Sequence, residues 1–577
     1  MKKELLAAWM FMLIVGNTYA QEQPSNTQQS PGDHAKYYYL PQLSIQTDRV
    51  VYLAGETIWL QLLPTMAVTT ESQDLSKLIY VEILDAQNKP VFQEKIGMKN
   101  GSATGYLKLP TELSTGNYTI CAYTNWMKNF GEDCFFKKQI VLINSFQPLP
   151  LISEAPSPIS TIAIVQAQTY TAGLSVKTAK TVFHKREKVT LNLKSNDSIS
   201  NNLMVTVIKT DKLSEWAANT MLTPDLQKNM SKGKLMDTNP AAYLFPPEIN
   251  GQLIKGKVLS KAGDPLPNIP VLVTIPGKNV RLYAIESDQD GNLDLEIPVL
   301  NGNMDLIVQP LPKDSTARIV IHSPYHEHKV ADSVMPNEVR LNPDLIADIR
   351  ERHKALQVQL AYHNDSLSTI LNAPPLDSTQ FFGKPDEKFN LDDYNRFTTI
   401  EEVFREYVGT IMVQKHKDGL HLHVLDKGLV TPRFSDYDPF IMLDGVPIFN
   451  FNKFFKFDPF KLKKGAVIAH TYFYNNLQVD GILSLQTYNG DLDGFPLEPY
   501  VSVHSFNGIQ LPRTPFSPQQ AINKRLPDQR SLIYYAPNVL PGTLDFYTSD
   551  VTGNYRISVQ NLNKENPMNT TLEIKVE

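Results

Sequence analysis

Short runs of alternating apolar and polar residues are the feature that most restricts how this chain can fold. Turn residues such as Gly55 and Gly116 separate the runs. A period of two buries one face of a strand, and turns at this spacing are typical of a β-sandwich of about one hundred residues. The alternation therefore predicts a sandwich over residues 37–146. Its runs occupy positions 43–45, 51–53, 58–62, 78–82 and 118–122.

The length and composition indicate several β-rich domains. At about 150 residues per domain, the 577 residues favour about four domains, because one hydrophobic core stops growing well below this length. The 40 Pro, 28 Gly, 25 Tyr and 26 Phe favour strands and turns over long helices. The net charge is only −5, so no field is strong enough to collect nucleic acid or an anionic membrane surface.

The N-terminus has the order of a cleaved export signal. Two lysines precede an apolar run over residues 5–16, and a short small-residue segment ends at Ala20. The run has about twelve residues, fewer than the roughly twenty that a membrane-spanning helix needs, so an N-terminal anchor is the less favoured alternative. We predict a signal peptide over 1–20, a disordered lead-in over 21–36, and an exported protein with no membrane-spanning segment.

Cys121 and Cys134 flank a predicted turn at residues 128–132. An export compartment permits disulfides. However, a symmetric register centred on Phe130 places Cys121 opposite a residue beyond Cys134. A disulfide and two small buried thiols are both open at this point, and two cysteines are too few for a disulfide framework or a Cys-rich zinc site.

Two segments of the first sandwich resemble a known domain. Residues 47–59, which contain Tyr-Leu-Ala-Gly-Glu, resemble the opening of an alpha-2-macroglobulin-type MG2 domain with its Tyr-x-x-Gly-Glu turn. Residues 113–120 resemble the hairpin near the end of that domain. The resemblance implies an MG2-like sandwich. Neither cysteine is followed by Gly-Glu-Gln, the thioester sequence of the protease-trapping members, so covalent trapping has no support.

The next segments resemble two further sandwiches. Residues 176–193 repeat the first motif with Arg186 in place of its glycine, which favours a second macroglobulin-like sandwich over 160–245. Residues 254–293 resemble the carboxypeptidase regulatory-like module, a small sandwich without peptidase chemistry, which implies such a unit over 250–325. Apolar residues at helical spacing then predict a helical connector over 340–375.

Residues 395–492 have a different pattern, in which a helix precedes several short strands. Thr399 and Glu402 have the spacing of a capping box. Segments 439–448 and 479–485 resemble the plug domain of TonB-dependent outer-membrane receptors, which implies a small α/β domain. Too few residues follow Gly490 for the receptors' 22 membrane strands, so we do not expect this chain to be a transporter by itself.

Strand patterns after the plug-like domain predict another sandwich over 497–577. The fold class is therefore mainly β, with tandem Ig- or macroglobulin-like sandwiches and one small α/β plug-like domain. A macroglobulin-like domain, further sandwiches and a barrel-free plug behind a signal peptide resemble, in that order, multidomain periplasmic proteins of Bacteroidota.

Five aromatic residues follow the first plug-like segment. Because no barrel encloses the domain, they are predicted to form an exposed apolar patch that binds a partner. The alternative is that they fold inward onto residues 472–474 or the C-terminal sandwich. The five residues are Phe449, Phe451, Phe454, Phe455 and Phe457.

Two histidine groups are the candidates for metal binding. His421 and His423 share one face of a predicted strand, while His322, His326 and His328 flank a proline turn. Two histidines at i and i+2 can share a metal ion. No cysteine or carboxylate accompanies either group at ligand spacing, so structural histidines are the favoured interpretation. No metal, cofactor or catalytic residue is assigned.

These features predict a non-enzymatic scaffold or adaptor of the periplasm, peripherally associated with the outer membrane. The expected partner is an outer-membrane β-barrel protein or its complex, acting in outer-membrane protein assembly, export or transport. The alternatives are an accessory to a TonB-dependent nutrient transporter and a cryptic hydrolase.

Overall fold

The computed structural model confirms a mainly β protein with tandem sandwiches and one small α/β unit. None of the helices in the described part of the chain is long and apolar enough to span a membrane. The predicted signal peptide and lead-in lie outside the described residues. The structure describes residues 41–66, 76–99, 101–152, 174–195, 203–220, 244–277, 281–329, 339–363, 368–370, 380–475, 477–515, 526–561 and 568–577.

The first sandwich has eight strands around one core. The strand order is β1-β3-β6-β5-β4-β7-β8-β2 once the strands are numbered along the chain. β5 forms the corner, because its first residues pair with β4 and its last two pair with β6. The strands are β1 (Pro41–Thr47), β2 (Val51–Leu53), β3 (Thr57–Met66), β4 (Leu78–Leu84), β5 (Pro90–Lys99), β6 (Ser102–Lys108), β7 (Gly116–Tyr123) and β8 (Phe136–Ile143).

The two cysteines lie in this sandwich as free thiols. Cys121 is buried in β7 opposite Lys137 of β8, which is beyond Cys134 as the symmetric register predicts. Cys134 is half-buried in a 3-10 turn. The structure therefore contains no bridge between them, and the alternative of two thiols describes this region.

The next segment provides four strands and a helix. Its strands do not close a core by themselves, because most of their partners come from the end of the chain. The elements are β9 (Leu174–Thr178), β10 (Val182–Phe183), β11 (Lys188–Ser195), β12 (Leu203–Lys209) and α1 (Lys212–Thr220).

A small sandwich follows, formed by the three-stranded sheet β16-β13-β18 and by β15-β14-β17. Alternate residues of the two sheets face one core, among them Val258, Val273 and Leu306. The strands are β13 (Gly251–Leu259), β14 (Pro270–Ile275), β15 (Arg281–Glu286), β16 (Asn292–Pro298), β17 (Asn303–Pro310) and β18 (Arg318–Ile321).

The predicted helical connector contains helix α2 (Ile346–His363) and strand β19 (Ser368–Ile370). The helix is docked rather than free. Leu345 and Ile349 pack with apolar residues of β2, β8 and α1. In addition, the guanidinium of Arg352 is bound to Asp211, with Nε 2.5 Å from Oδ2. The helix therefore fastens the segment after β12 to the edge of the first sandwich.

The mixed α/β unit is built from one continuous stretch of chain. Its sheet has the order β20-β26-β29-β24-β25, in which β24 and β29 are parallel. A second sheet has the order β21-β22-β23. The elements are β20 (Glu387–Asn390), α3 (Ile400–Tyr407), β21 (Ile411–Lys415), β22 (Leu420–Asp426), β23 (Arg433–Phe434), β24 (Phe440–Leu443), β25 (Val446–Ile448), α4 (Phe451–Phe454), β26 (Leu462–Ile468), β27 (Tyr472–Tyr474), β28 (Leu477–Val479) and β29 (Ile482–Thr487).

Helix α3 begins as the sequence predicts. Thr399 is its N-cap, and its side chain accepts a hydrogen bond from the backbone N–H of Glu402. The Glu402 carboxylate in turn accepts from the backbone N–H of Thr399. Both halves of the predicted capping box are thus confirmed, because such a cap depends only on residues three positions apart.

The last six strands return to earlier parts of the molecule. β30 extends the small sandwich by pairing with β17, and β31 pairs with β19. The remaining four strands pair with β10, β11 and β12 or with one another. The six are β30 (Ser502–Asn507), β31 (Arg513–Pro515), β32 (Leu532–Val539), β33 (Gly542–Tyr547), β34 (Gly553–Asn561) and β35 (Met568–Val576).

The prediction of two separate sandwiches over 160–245 and 497–577 is wrong. The two segments form one interlocked sandwich, with sheets β10-β35-β34-β12-β32 and β33-β11-β9. Leu191 lies opposite Leu544, and Val207 lies opposite Ile557. Four short strands cannot bury both faces of a core, so each half needs the other. Local alternation predicts that a strand forms, but it does not identify the strand's partner.

Arg186 explains why its motif departs from the first one. Gly55 in the first sandwich has φ of 88°, and Arg186 has a φ of 56°, so both turns are left-handed. That conformation is unfavourable for a residue with a Cβ. The Arg186 guanidinium binds both carboxylate oxygens of Asp550, at 2.6 and 2.5 Å. The arginine thus fastens the two halves of the interlocked sandwich together.

Candidate functional site

The five phenylalanines predicted to bind a partner do not form an exposed patch. Phe454 and Phe457 are 0% and 9% exposed, and the other three are half-buried. Phe451 and Phe455 pack against the core of the mixed unit, while Phe449 packs beside Phe440. The expectation of exposure is therefore wrong. The side chains turn inward as in the alternative, but they pack mainly on the unit's own core rather than on residues 472–474 or the C-terminal sandwich.

The spacing of these aromatics is the signal that sequence reasoning missed. Phe451, Phe454 and Phe457 recur every three residues, which places side chains on one face of a helical turn. Asn450 caps that turn by accepting a hydrogen bond from the backbone N–H of Lys453. The turn directs Phe454 toward Phe404 of α3, with ring centroids 6.1 Å apart.

The structure instead brings together the second histidine group and two carboxylates. Residues 322–329 leave the small sandwich after β18 and cross the first sandwich, where the backbone N–H of His326 donates to the Tyr123 hydroxyl at 2.8 Å. His326 Nε2 lies 3.3 Å from Glu132 Oε1. His328 Nε2 lies 2.9 Å from Glu82 Oε1. We call these four residues, Glu82, Glu132, His326 and His328, the junction cluster.

Glu82 is held as an acceptor by three donors. It lies in β4 and is 0% exposed. The Tyr123 hydroxyl donates to it at 2.5 Å and the Gln93 side chain at 2.7 Å. Burial raises the pKa of Glu82, but the hydrogen bonds from His328, Tyr123 and Gln93 outweigh burial and lower it. The ionised carboxylate therefore accepts a hydrogen bond from His328 Nε2.

The other ring nitrogen of His328 is buried without a hydrogen-bond partner in the described part of the chain. Its side chain is only 1% exposed. Nδ1 has no hydrogen-bond partner among the described residues, and it lies 3.7 Å from Glu132 Oε2. A buried ring nitrogen without a hydrogen-bond partner thus faces a carboxylate oxygen.

Glu132 is ionised in this environment. The Lys137 ammonium lies 3.1 Å from its Oε2, and the backbone N–H of Lys329 donates to its Oε1 at 3.2 Å. Burial raises the pKa of Glu132, but these hydrogen bonds outweigh it and lower the pKa to about 2. Burial also lowers the pKa of His326 and favours its neutral form.

Three side chains of the junction cluster could hold one metal ion together. Each of Glu132, His326 and His328 offers a ligand atom, and these three atoms lie within 4.8 Å of one another. The described part of the chain contains no other group of three histidine, cysteine or carboxylate side chains this close together. Sequence spacing hides this arrangement. Glu132 lies 194 positions before His326, and Glu82 lies 246 positions before His328. The expectation that no carboxylate accompanies these histidines is therefore wrong.

A cleft of about 660 Å³ borders the junction cluster and is lined in part by Tyr80, Lys128, Phe245 and His326. Burial lowers the pKa of Lys128 to about 8. Its ammonium donates to the backbone carbonyl of Pro324 and lies 4.8 Å from the centre of the Tyr80 ring. The cleft gives small solutes a route to His326.

The other histidines have different surroundings. His421 lies between two carboxylates, 2.7 Å from Asp438 and 3.2 Å from Asp418. His423 Nδ1 lies 2.8 Å from the backbone carbonyl oxygen of Ser435. His322 is exposed and lies outside the junction cluster. None of these three residues belongs to a group of three ligand atoms in the described part of the chain, although the buried Nε2 of His423 also has no hydrogen-bond partner there.

No family model and no curated protein matches this chain. Among solved structures, it is similar to Salmonella alpha-2-macroglobulin reacted with methylamine, at 9% identity over 93% of this chain and 39% of that one, with a TM-score of 0.22. Trypsin-activated alpha-2-macroglobulin from Escherichia coli matches at 11% identity over 94% of this chain and 42% of that one, also with a TM-score of 0.22.

A tetra-tandem repeat from the extending region of a large adhesion protein matches at 11% identity over 93% of this chain and 99% of that one, with a TM-score of 0.13. The chain spans about two fifths of the length of the two macroglobulins. TM-scores this low do not establish a common arrangement of domains.

Proposed function

We propose that this protein is a non-enzymatic scaffold of the periplasm, which holds its mixed unit in a fixed position for an outer-membrane β-barrel protein or its complex. The observation that carries the proposal is the return of the chain's end to its earlier sandwiches. Because β30 and β32 to β35 complete units that begin before residue 260, the mixed unit is an insertion between segments that belong to other units.

Direct contacts support this placement of the mixed unit. Tyr474 donates from its hydroxyl to the backbone carbonyl of Leu282 at 2.8 Å, and Gln309 donates to the carbonyl of Pro447 at 3.1 Å. Leu272 and Leu282 of the small sandwich share an apolar cluster with Phe440 of the mixed unit. An apolar interface with defined hydrogen bonds restrains motion between units better than a linker does.

The location rests on the sequence. Lysines, a short apolar run and Ala20 favour export, and the order of the domains resembles periplasmic proteins. We expect the mature protein to begin at Gln21 and to fractionate with the cell envelope without requiring detergent. Intact-mass measurement checks this, since retention of Met1 in a fraction that only detergent releases would contradict export by cleavage.

Affinity purification from the native envelope tests the scaffold. We expect an outer-membrane β-barrel protein of an assembly, export or transport complex to copurify. Recovery of a nutrient transporter would support the accessory role instead, and a hydrolytic activity without a partner would support an enzyme.

A variant that disrupts the interlocked sandwich tests whether partner binding requires the mixed unit to be held in a fixed position. Val559 is 0% exposed in β34, so Val559→Asp places a charge in the core of the interlocked sandwich. We expect it to lose the partner while hydrogen exchange shows a protected mixed unit. Gln560→Asp, on the neighbouring half-buried position, is the matched control and should keep the partner. Full binding by Val559→Asp would contradict a scaffold.

A further inference from the structure

We propose that Glu132, His326 and His328 bind one divalent transition-metal ion of the Zn²⁺ class, which fastens residues 322–329 to the first sandwich. Bonds of about 2.0–2.2 Å to a tetrahedral ion set neighbouring ligand atoms about 3.3–3.5 Å apart. The Glu132 oxygens lie 3.3 Å from His326 Nε2 and 3.7 Å from His328 Nδ1. Small side-chain movements would therefore bring these atoms to bonding distance.

The buried and unpartnered Nδ1 of His328 is the independent sign of a ligand. Its Nδ1 has no partner in the described structure, although the side chain is 1% exposed. Buried polar atoms are nearly always satisfied, so an orphan nitrogen calls for a missing ion or water. A water would need to donate to Nδ1, whereas a cation satisfies Nδ1 and the facing Glu132 oxygen together.

Glu82 supplies the support that metal-binding histidines usually have. Such a histidine commonly donates its second ring N–H to a carboxylate, which fixes the tautomer and strengthens the ligand. His328 Nε2 and Glu82 Oε1 form this pair at 2.9 Å, and Tyr123 and Gln93 hold Glu82 in place. The orientation of His328 is therefore set before any ion arrives.

The charges and donor types favour a transition metal. Glu132 supplies a carboxylate beside the two imidazoles, and the Lys137 ammonium lies 3.1 Å from it. Two imidazoles and a carboxylate suit Zn²⁺, Co²⁺ and similar ions, whereas Ca²⁺ and Mg²⁺ prefer oxygen ligands alone. A fourth position would be filled by water entering from the cleft beside His326.

Metal titration of the chelator-treated full chain tests the proposal. We expect one equivalent of Zn²⁺ to bind with micromolar or tighter affinity and to raise the melting temperature. Co²⁺ in its place should give the visible absorption of a tetrahedral site. Absence of Zn²⁺ binding at micromolar ZnCl₂ concentrations would overturn the proposal.

Variants assign the ligands. Glu132→Gln keeps the shape of the side chain and should weaken Zn²⁺ binding at least tenfold, as should His326→Ala and His328→Ala. Glu82→Gln removes support without removing a ligand, so we expect a loss of about 10- to 100-fold. His322→Ala and His421→Ala are matched controls from outside the cluster and should bind like the wild type.

The metal-free melting temperature and far-UV circular dichroism show whether each variant is folded. Glu132→Gln is the least disruptive change. If a histidine variant does not fold, the Zn²⁺ affinity of Glu132→Gln therefore decides whether the proposal stands. Unchanged Zn²⁺ affinity in a folded Glu132→Gln chain would overturn the proposal, as would equal losses in His421→Ala. These results do not depend on the partner proposed above.

Discussion

The mixed unit and the interlocked sandwich solve the same packing problem with different connectivity. The mixed unit forms from one continuous stretch, residues 387–487, whose strands β24 and β25 are joined by a two-residue turn. The interlocked sandwich joins residues 174–209 to residues 532–576. The comparison teaches that one unit can form locally, whereas the other requires both ends of the chain to be present.

Two left-handed turns show the same difference at the level of single residues. Asp444 has a φ of 49° and Arg186 a φ of 56°. The Asp444 carboxylate accepts hydrogen bonds from Thr487 of its own unit and from Leu492 shortly after it. The Arg186 guanidinium reaches Asp550 at the other end of the chain. Each strained turn is held by its side chain, and only the second turn joins distant segments.

Cavities in the two cores give the largest expected effect. Phe454 and Phe546 are both 0% exposed, so Phe454→Ala and Phe546→Ala should each cost about 3–5 kcal/mol in the unfolding free energy of their unit. Hydrogen exchange should then differ. Phe454→Ala should lose protection within 387–487 alone, whereas Phe546→Ala should release 174–209 and 532–576 together.

Loss of hydrogen-exchange protection in residues 532–576 alone, in the Phe546→Ala chain, would contradict the comparison. It would mean that residues 174–209, the first half of the interlocked sandwich, fold without the second half. Leu540→Ala is the control, since Leu540 is 60% exposed and its truncation should change the unfolding free energy by less than about 0.5 kcal/mol.

Removal of the Asp444 carboxylate should have the next largest effect. Asp444 is 0% exposed and accepts from the N–H and hydroxyl of Thr487 and from the N–H of Leu492, at 2.6 to 2.8 Å. Asp444→Ala leaves these buried donors without a partner and should cost about 3 kcal/mol. Denaturant unfolding of the mixed unit measures this loss of unfolding free energy. Asp436→Ala, at an exposed site, is the control.

Arg186 variants separate the strain of a turn from the interaction that holds it. Arg186→Ala loses the bonds to Asp550 and keeps a Cβ at positive φ, so it should cost about 2 kcal/mol. Arg186→Gly loses the same bonds but relieves the strain, and should be about 1 kcal/mol more stable than Arg186→Ala. Equal unfolding free energies for the two variants would show that the left-handed turn is not strained.

The comparison also explains which features the sequence could predict. Thr399 and Glu402 form their capping box as predicted, because a cap is decided by residues three positions apart. The interlocked sandwich was not predictable, since alternation in β11 is compatible with any partner strand. Nor was the junction cluster, because 194 positions separate Glu132 from His326. The buried phenylalanines were mispredicted since the inference began from an absent barrel rather than from their helical spacing.

Opposite responses to pH give the smallest expected effect. In the mixed unit, a hydrogen bond with Asp438 is the main cause that raises the pKa of His421 above its usual value of 6.5. The stability from this pair is therefore full below pH 6.5 and lost as the pH rises through the raised pKa. A hydrogen bond from Arg186 is the main cause that lowers the pKa of Asp550 below 3.8. That contribution is full above pH 3.8 and lost as the pH falls through the lowered pKa.

Native-state hydrogen exchange follows the two units separately, which matters because a chain with several units does not unfold in one step. Between pH 8 and pH 6 we expect the mixed unit to gain stability while the interlocked sandwich stays level. Each change should be below about 1 kcal/mol, since both pairs are partly exposed and water screens them. His421→Gln should abolish the gain in the mixed unit, and Arg186→Gly should leave it intact. A gain that survives in His421→Gln would assign the pH response to another group and remove this distinction between the two units.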